Sequence, residues 1–113
     1  MSNLEFSIDK NGVANLVFDL QGEKINKLSK PVLLELEKAL NVIGGNKGIR
    51  VLLISSAKKD IFIAGADINE IKDINTTEEA YEVVKKGQDI ISKIAELKIP
   101  TIAVIDGACL GGG

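Results

Sequence analysis

Two short apolar runs, Val51-Leu52-Leu53-Ile54 and Thr101-Ile102-Ala103-Val104-Ile105, constrain this chain more than any other feature. A continuous apolar run of this length, bounded by turn residues, marks a strand covered on both faces, the habit of parallel sheets. Between the two runs, Val83, Val84, Ile90, Ile91, Ile94 and Leu97 recur on one face of a long helix. Strand, helix, strand in that order is a crossover, and crossovers are right-handed in nearly all cases. The two strands therefore run parallel, with their carboxyl ends on one edge of the sheet.

The rest of the chain fits around that unit. Leu4, Phe6 and Ile8 alternate with polar residues, as in a half-buried strand. Asn11-Gly12 tolerates positive φ and marks a hairpin turn into a second strand over Val13 to Asp19. Gln21 to Leu28 reads as loop. Ser29 is placed to cap a helix, Pro31 fits its first turn, and Val32, Leu33, Leu36, Leu40 and Ile43 follow at helical spacing until Gly44-Gly45. Ser55 to Gly65 reads as a loop with a hydrophobic middle at Ile61-Phe62-Ile63. Asp67 and Glu70 have the spacing of a capping box, so a short helix begins after Gly65-Ala66. Asn75-Thr76-Thr77-Glu78-Glu79 starts the long helix, and Ile99-Pro100 ends it. Asp106-Gly107 turns, and Ala108 to Gly113 is expected to open a further helix. The fold class is α/β.

Composition removes most chemistries. The 113 residues contain no histidine, which excludes Ser-His-Asp and Cys-His nucleophile pairs and histidine zinc sites within them. The single cysteine, Cys109, cannot form an internal disulfide or a cysteine-rich metal cluster, and no metal site is expected. Without a histidine partner it is expected to be a buried packing residue. A net charge of -2 leaves no electrostatic footprint for nucleic acid. No apolar run approaches the ~20 residues that span a bilayer, and the start lacks the regions of a signal peptide. Such a chain reads as cytoplasmic. Any chemistry rests on carboxylates, lysines, hydroxyls or the backbone.

The crossover places the loop through Gly65-Ala66 and the loop through Gly107 to Gly113 on the same sheet edge, where open α/β sheets bind ligands. Each loop bears glycine and each leads toward an expected helix start, where main-chain N–H groups lack partners. Two such donors, from Ala66 and Gly112, would stabilise a developing oxyanion. The alternative is that the glycines only permit tight turns and close packing. Spacing alone leaves both open. A phosphate loop is absent, because no lysine follows the glycines after Gly107 at the required spacing. Asp67 is most simply a helix cap. Lys58, Lys59, Lys24 and Lys27 read as solvated.

Phe62-Ile63-Ala64-Gly65-Ala66-Asp67-Ile68 resembles the first signature of the enoyl-CoA hydratase/isomerase (crotonase) family. Ile99-Pro100-Thr101-Ile102-Ala103-Val104-Ile105-Asp106-Gly107-Ala108-Cys109-Leu110-Gly111-Gly112-Gly113 resembles the second, in the right order and separation. Ile25-Asn26-Lys27-Leu28 adds support. Within the family, the chain is most similar to the hydratase part of multifunctional fatty-acid oxidation alpha subunits.

The resemblance implies a spiral of β-β-α units, with residues 1–113 the N-terminal portion of one hydratase/isomerase domain. It implies hydration of a trans-2-enoyl-CoA to the 3-hydroxyacyl-CoA, with the N–H groups of Ala66 and Gly112 as the oxyanion hole. Ala64, Ala66, Asp67, Ile68, Asn69 and Gly112 are the implied substrate-binding residues. The family's two acid–base glutamates fall past Gly113, so the 113-residue polypeptide alone is expected to be inactive. Glu23 and Asp60 stand where a phosphate-binding lysine is common. Hydration needs no cofactor, and NAD enters only with a downstream dehydrogenase domain. A homo-oligomer or a complex with a thiolase subunit is the implied assembly. An enoyl-CoA isomerase and a non-catalytic acyl-CoA binding module are the alternatives.

Overall fold

β1 (Leu4–Ile8) and β2 (Val13–Phe18) form an antiparallel hairpin, in register from Leu4↔Phe18 to Ile8↔Ala14. Asp9 organises the turn, its carboxylate accepting from Asn11 N at 2.8 Å and Val13 N at 3.0 Å. The computed structural model describes residues 2–113.

α1 (Lys30–Gly45) follows, with the Ser29 hydroxyl accepting from Val32 N and Pro31 in the first turn. Val32, Leu36, Leu40 and Ile43 are its buried stripe. β3 (Val51–Ser56) then pairs parallel with β2, and β5 (Thr101–Ala103) pairs parallel with β3. The sheet order is β1-β2-β3-β5. Ala14, Leu16, Phe18, Leu52 and Ile54 form the sheet's side of the core, which α1 covers.

The expected double-sided burial is not found. In β3 only Leu52 and Ile54 are fully buried, while Val51 and Leu53 on the opposite face are half-buried. β5 ends at Ala103, and Ile102, Val104 and Ile105 are about half exposed. A continuous apolar run reports what a strand is able to bury, and here only one face meets a helix layer.

α2 (Ile68–Lys72) and α3 (Thr77–Glu96) lie between β3 and β5 in the chain. Thr76 caps α3 by accepting from Glu79 N, and Glu79 reaches back to Asn75 N. The contacts of α3 with α1 run over its C-terminal half: Gly87 faces Leu33, Lys93 bonds Glu37 at 2.8 Å, and Ile90 is buried. Val83 and Val84 share the expected apolar face yet are exposed.

Two expected elements differ in kind. Ile61-Phe62-Ile63, read as the middle of a loop, is strand β4 (Ile61–Ile63). Ala108-Cys109, expected to begin a helix, is strand β6 (Ala108–Cys109), parallel to β4 in a separate two-stranded sheet. The physical reason is their pairing across the sequence: β4 and β6 satisfy each other's main-chain groups, with Ala108 N donating to Asp60 O and Leu110 N to Ile63 O, both at 3.0 Å. Element order now shows the implied repeat: β1-β2-α1, then β3-β4-α2-α3, then β5-β6.

Candidate active site

The two glycine-bearing loops meet because β4 and β6 carry them side by side. Gly65 adopts φ +101, where an L side chain is strained, and a Cβ there would lie 3.2 Å from Leu110 O and 3.7 Å from Gly112 N. Gly107 presses on the other end of β4: a Cβ would sit 2.6 Å from Asp60 O. Main chain thus packs against main chain with no side chain between. Both glycines permit close packing, which brings the Ala66 and Gly112 loops together.

Within that contact, several neighbouring N–H groups are engaged. Ala64 N donates to Asn26 O at 2.8 Å, Leu28 N to Gly65 O at 2.7 Å, and Gly113 N to Leu110 O at 2.9 Å. The N–H groups of Ala66 and Gly112 donate to no protein acceptor among the described residues, and both residues are exposed. Two free main-chain donors on adjoining loops make a site suited to an oxygen that gains negative charge.

An open cleft of about 380 Å³ leads away from this point, with Ala64, Ala66, Asp67, Ile68 and Asn69 on one wall. All five implied binding residues of the first loop therefore share one surface. Ile25, Lys27 and Lys72 complete the cleft. Lys27 is not merely solvated, since its Nζ lies 3.4 Å from Glu23 Oε1 and 3.9 Å from Asp67 Oδ2. Lys58 is held too, bonding Asp19 Oδ1 at 2.8 Å and Leu20 O at 2.7 Å.

Asp67 caps α2 by accepting from Asn69 N at 2.9 Å, as its sequence position implies. Glu70 does not complete a capping box. Its two carboxylate oxygens accept from Lys30 N at 2.9 and 3.0 Å, tying α2 to the first turn of α1. Cys109 is exposed rather than buried, because β6 is a two-residue strand with β4 along one edge only. No group of three or more metal-ligating side chains occurs among the described residues.

Asn26, in the Ile25-Asn26-Lys27-Leu28 segment that supports the resemblance, is fully buried and polar. The sequence attaches no separate role to it, because Gln21 to Leu28 reads as loop.

Residues 9–113 match the model of the enoyl-CoA hydratase/isomerase family. The chain belongs to that family. It is 43% identical over 103 residues to the fatty acid oxidation complex subunit alpha of Shewanella loihica, covering 91% of this chain and 15% of that protein. An enoyl-CoA hydratase from Shewanella pealeana superposes with TM-score 0.88 at 25% identity, over 98% of this chain and 42% of that one. One from Bacillus anthracis gives TM-score 0.83 at 26% identity, over 94% and 40%. The fold is therefore the crotonase-like fold that the two signatures imply, and the chain spans well under half the length of these relatives. No helix among the described residues is long and apolar enough to cross a membrane.

Proposed function

We propose that this chain is the carbonyl-polarising portion of an enoyl-CoA hydratase of fatty-acid β-oxidation. The observation that carries the reading is the pair of unengaged N–H groups on Ala66 and Gly112, on loops in main-chain contact. Water adds to C3 of a trans-2-enoyl thioester, the C2–C3 π pair moves toward C1, and the thioester oxygen becomes enolate-like. A proton then reaches C2, giving the 3-hydroxyacyl-CoA. Donors aimed at that oxygen lower the barrier because they bind the transition state better than the ground state.

Ala64, Asp67, Ile68 and Asn69 line the path for the rest of the thioester. The reading assigns water activation and C2 protonation to carboxylates beyond residue 113, so the 113-residue polypeptide alone would not hydrate. The addition itself uses no cofactor, and NAD would serve only a dehydrogenase domain elsewhere in the protein. The complex named for the Shewanella loihica relative supports assembly with a further subunit, for which a thiolase is our reading.

The test is hydration of crotonyl-CoA by the full-length protein and its Ala66→Pro variant, with circular dichroism reporting the fold. Loss of one main-chain donor should lower kcat by roughly 10²–10³. A folded variant at the wild-type rate would remove Ala66 from the site. Wild-type protein that shifts the double bond of a 3-enoyl-CoA without hydrating crotonyl-CoA would make it an isomerase.

A further inference from the structure

β4 and β6 are not in regular register. Ala108 pairs with Ile61 but Cys109 with Ile63, and the β6 side takes its acceptors from Asp60 O and Ile63 O. Two residues of β6 thus span three of β4, which is a bulge. The two carbonyls left over, those of Ile61 and Phe62, turn away from β6. Ser56 Oγ donates to Ile61 O at 2.8 Å, and Asn26 Nδ2 donates to Phe62 O at 2.8 Å.

Asn26 is built for this place. Its side chain is fully buried, and its Nδ2 lies 2.8 Å from Ser56 Oγ and 3.2 Å from Phe18 O. Its Oδ1 accepts from Leu20 N at 3.3 Å. Around Nδ2 are only acceptors, so the group there must be a donor with two hydrogens, while Leu20 N needs an acceptor. A primary amide meets both demands; a carboxylate or an aliphatic side chain leaves buried carbonyls unpaired. From the same residue, the main-chain carbonyl holds Ala64 N, and two residues on, Leu28 N holds Gly65 O.

We propose that Asn26 is a positioning residue for the reaction: by holding the bulged carbonyl of Phe62 it fixes the register of β4 against β6, and so the aim of Ala66 relative to Gly112. Without that amide, β4 is free to slip toward regular pairing, and one residue of slip is about 3.3 Å along the strand. A donor displaced that far no longer reaches an oxygen bonded to Gly112 N–H. The inference rests on the hydratase reading for its chemistry, and on the bulge for its geometry.

The experiment compares full-length wild type with Asn26→Ala and with the milder Ser56→Ala. Crotonyl-CoA kinetics are read together with the infrared carbonyl stretch of a bound enoyl-CoA thioester. For Asn26→Ala, kcat should fall between about 10- and 100-fold, short of the full loss of a donor. KM should stay within about threefold, and the carbonyl shift on binding should shrink. Ser56→Ala should show the same pattern more weakly, and the double variant should be less than additive. Amide exchange at Ala108 and Leu110 should quicken in each variant, a readout that does not depend on activity. Folded Asn26→Ala with wild-type kcat, or with lost kcat but an unchanged carbonyl shift, overturns the proposal. If Asn26→Ala does not fold, wild-type behaviour of Ser56→Ala in all three readouts overturns it. If the wild type itself neither hydrates nor shifts the carbonyl, the hydratase reading fails instead. Exchange unchanged in the variants would still overturn the register claim.

Discussion

The main-chain N–H of Leu28 donates to the carbonyl of Gly65 at 2.7 Å, across 37 positions of sequence. That bond sits one residue from Ala66, and the glycine that accepts it holds φ +101 packed against the Leu110–Gly112 backbone. A segment that the sequence offers as loop is therefore one wall of the site.

The tightest steric demand falls on Gly107. Its missing Cβ would meet the carbonyl carbon of Asp60, with Ile61 N at 2.5 Å and Asp60 O at 2.6 Å, all main-chain atoms that cannot rotate aside. Gly107→Ala should therefore cost roughly 3 kcal/mol, the upper end for overpacking. Gly22→Ala provides the contrast: φ is +73 but nothing lies within 4 Å, so only backbone strain of about 1–2 kcal/mol is expected. Urea midpoints of the two variants against wild type check the order. Equal losses would mean that the Gly107 contact relaxes freely.

Much of the fold was legible because it is written locally. The Asp9 turn, the Ser29 and Thr76 caps and the Val32–Ile43 stripe each follow from residues within one or two turns of each other. What was missed depends on distant partners. Ile61-Phe62-Ile63 becomes a strand only because Ala108-Cys109 lies beside it, and Ala108-Cys109 forgoes a helix for the same reason. Glu70 has the spacing of a capping box yet binds Lys30 N, 40 residues away. Ala66 and Gly112 are legible as candidates from the two glycine loops that the crossover puts on one sheet edge, and the signatures point to the same residues; the bonds by which Asn26 and Ser56 support β4 join residues far apart in sequence. The lack of a histidine partner predicts a buried packing role for Cys109; a strand with one free edge leaves it exposed.

Glu35 ties the start of the chain to α1. Its carboxylate accepts from Ser2 Oγ and Asn3 N at 2.8 Å, Asn3 Nδ2 at 2.7 Å and Leu4 N at 3.4 Å. Burial alone would raise its pKa, but these four donors together outweigh burial and hold it below the ordinary glutamate value. A lowered folded-state pKa means stability that is fully present above the unfolded value and is lost as pH falls through the folded one. Glu35→Gln should accordingly be less stable than wild type at neutral pH. The gap should close as the pH is lowered through and below the ordinary glutamate range. Urea midpoints of both proteins across that range measure it; a gap independent of pH would assign the loss to shape rather than charge.

Lys27 gives the site its most direct electrostatic test. It lines the cleft together with Asp67 and Lys72, and it lies within 4 Å of both Glu23 and Asp67, so it offsets those two carboxylates. The CoA thioester proposed as ligand carries several negative phosphate charges, and removing Lys27 leaves Lys72 as the one lysine among the cleft-lining residues. One unit charge at about 4 Å in a water-like medium is worth about 1 kcal/mol, a factor near five. Lys27→Gln should thus raise KM for crotonyl-CoA about three- to tenfold with kcat little changed, because the main-chain N–H groups proposed as oxyanion donors are untouched. Raising ionic strength should narrow the difference, since exposed charges are screened beyond roughly 8 Å at physiological salt. A fall in kcat with KM constant would instead place Lys27 in the support of the Ala66 loop, acting through its contact with Asp67.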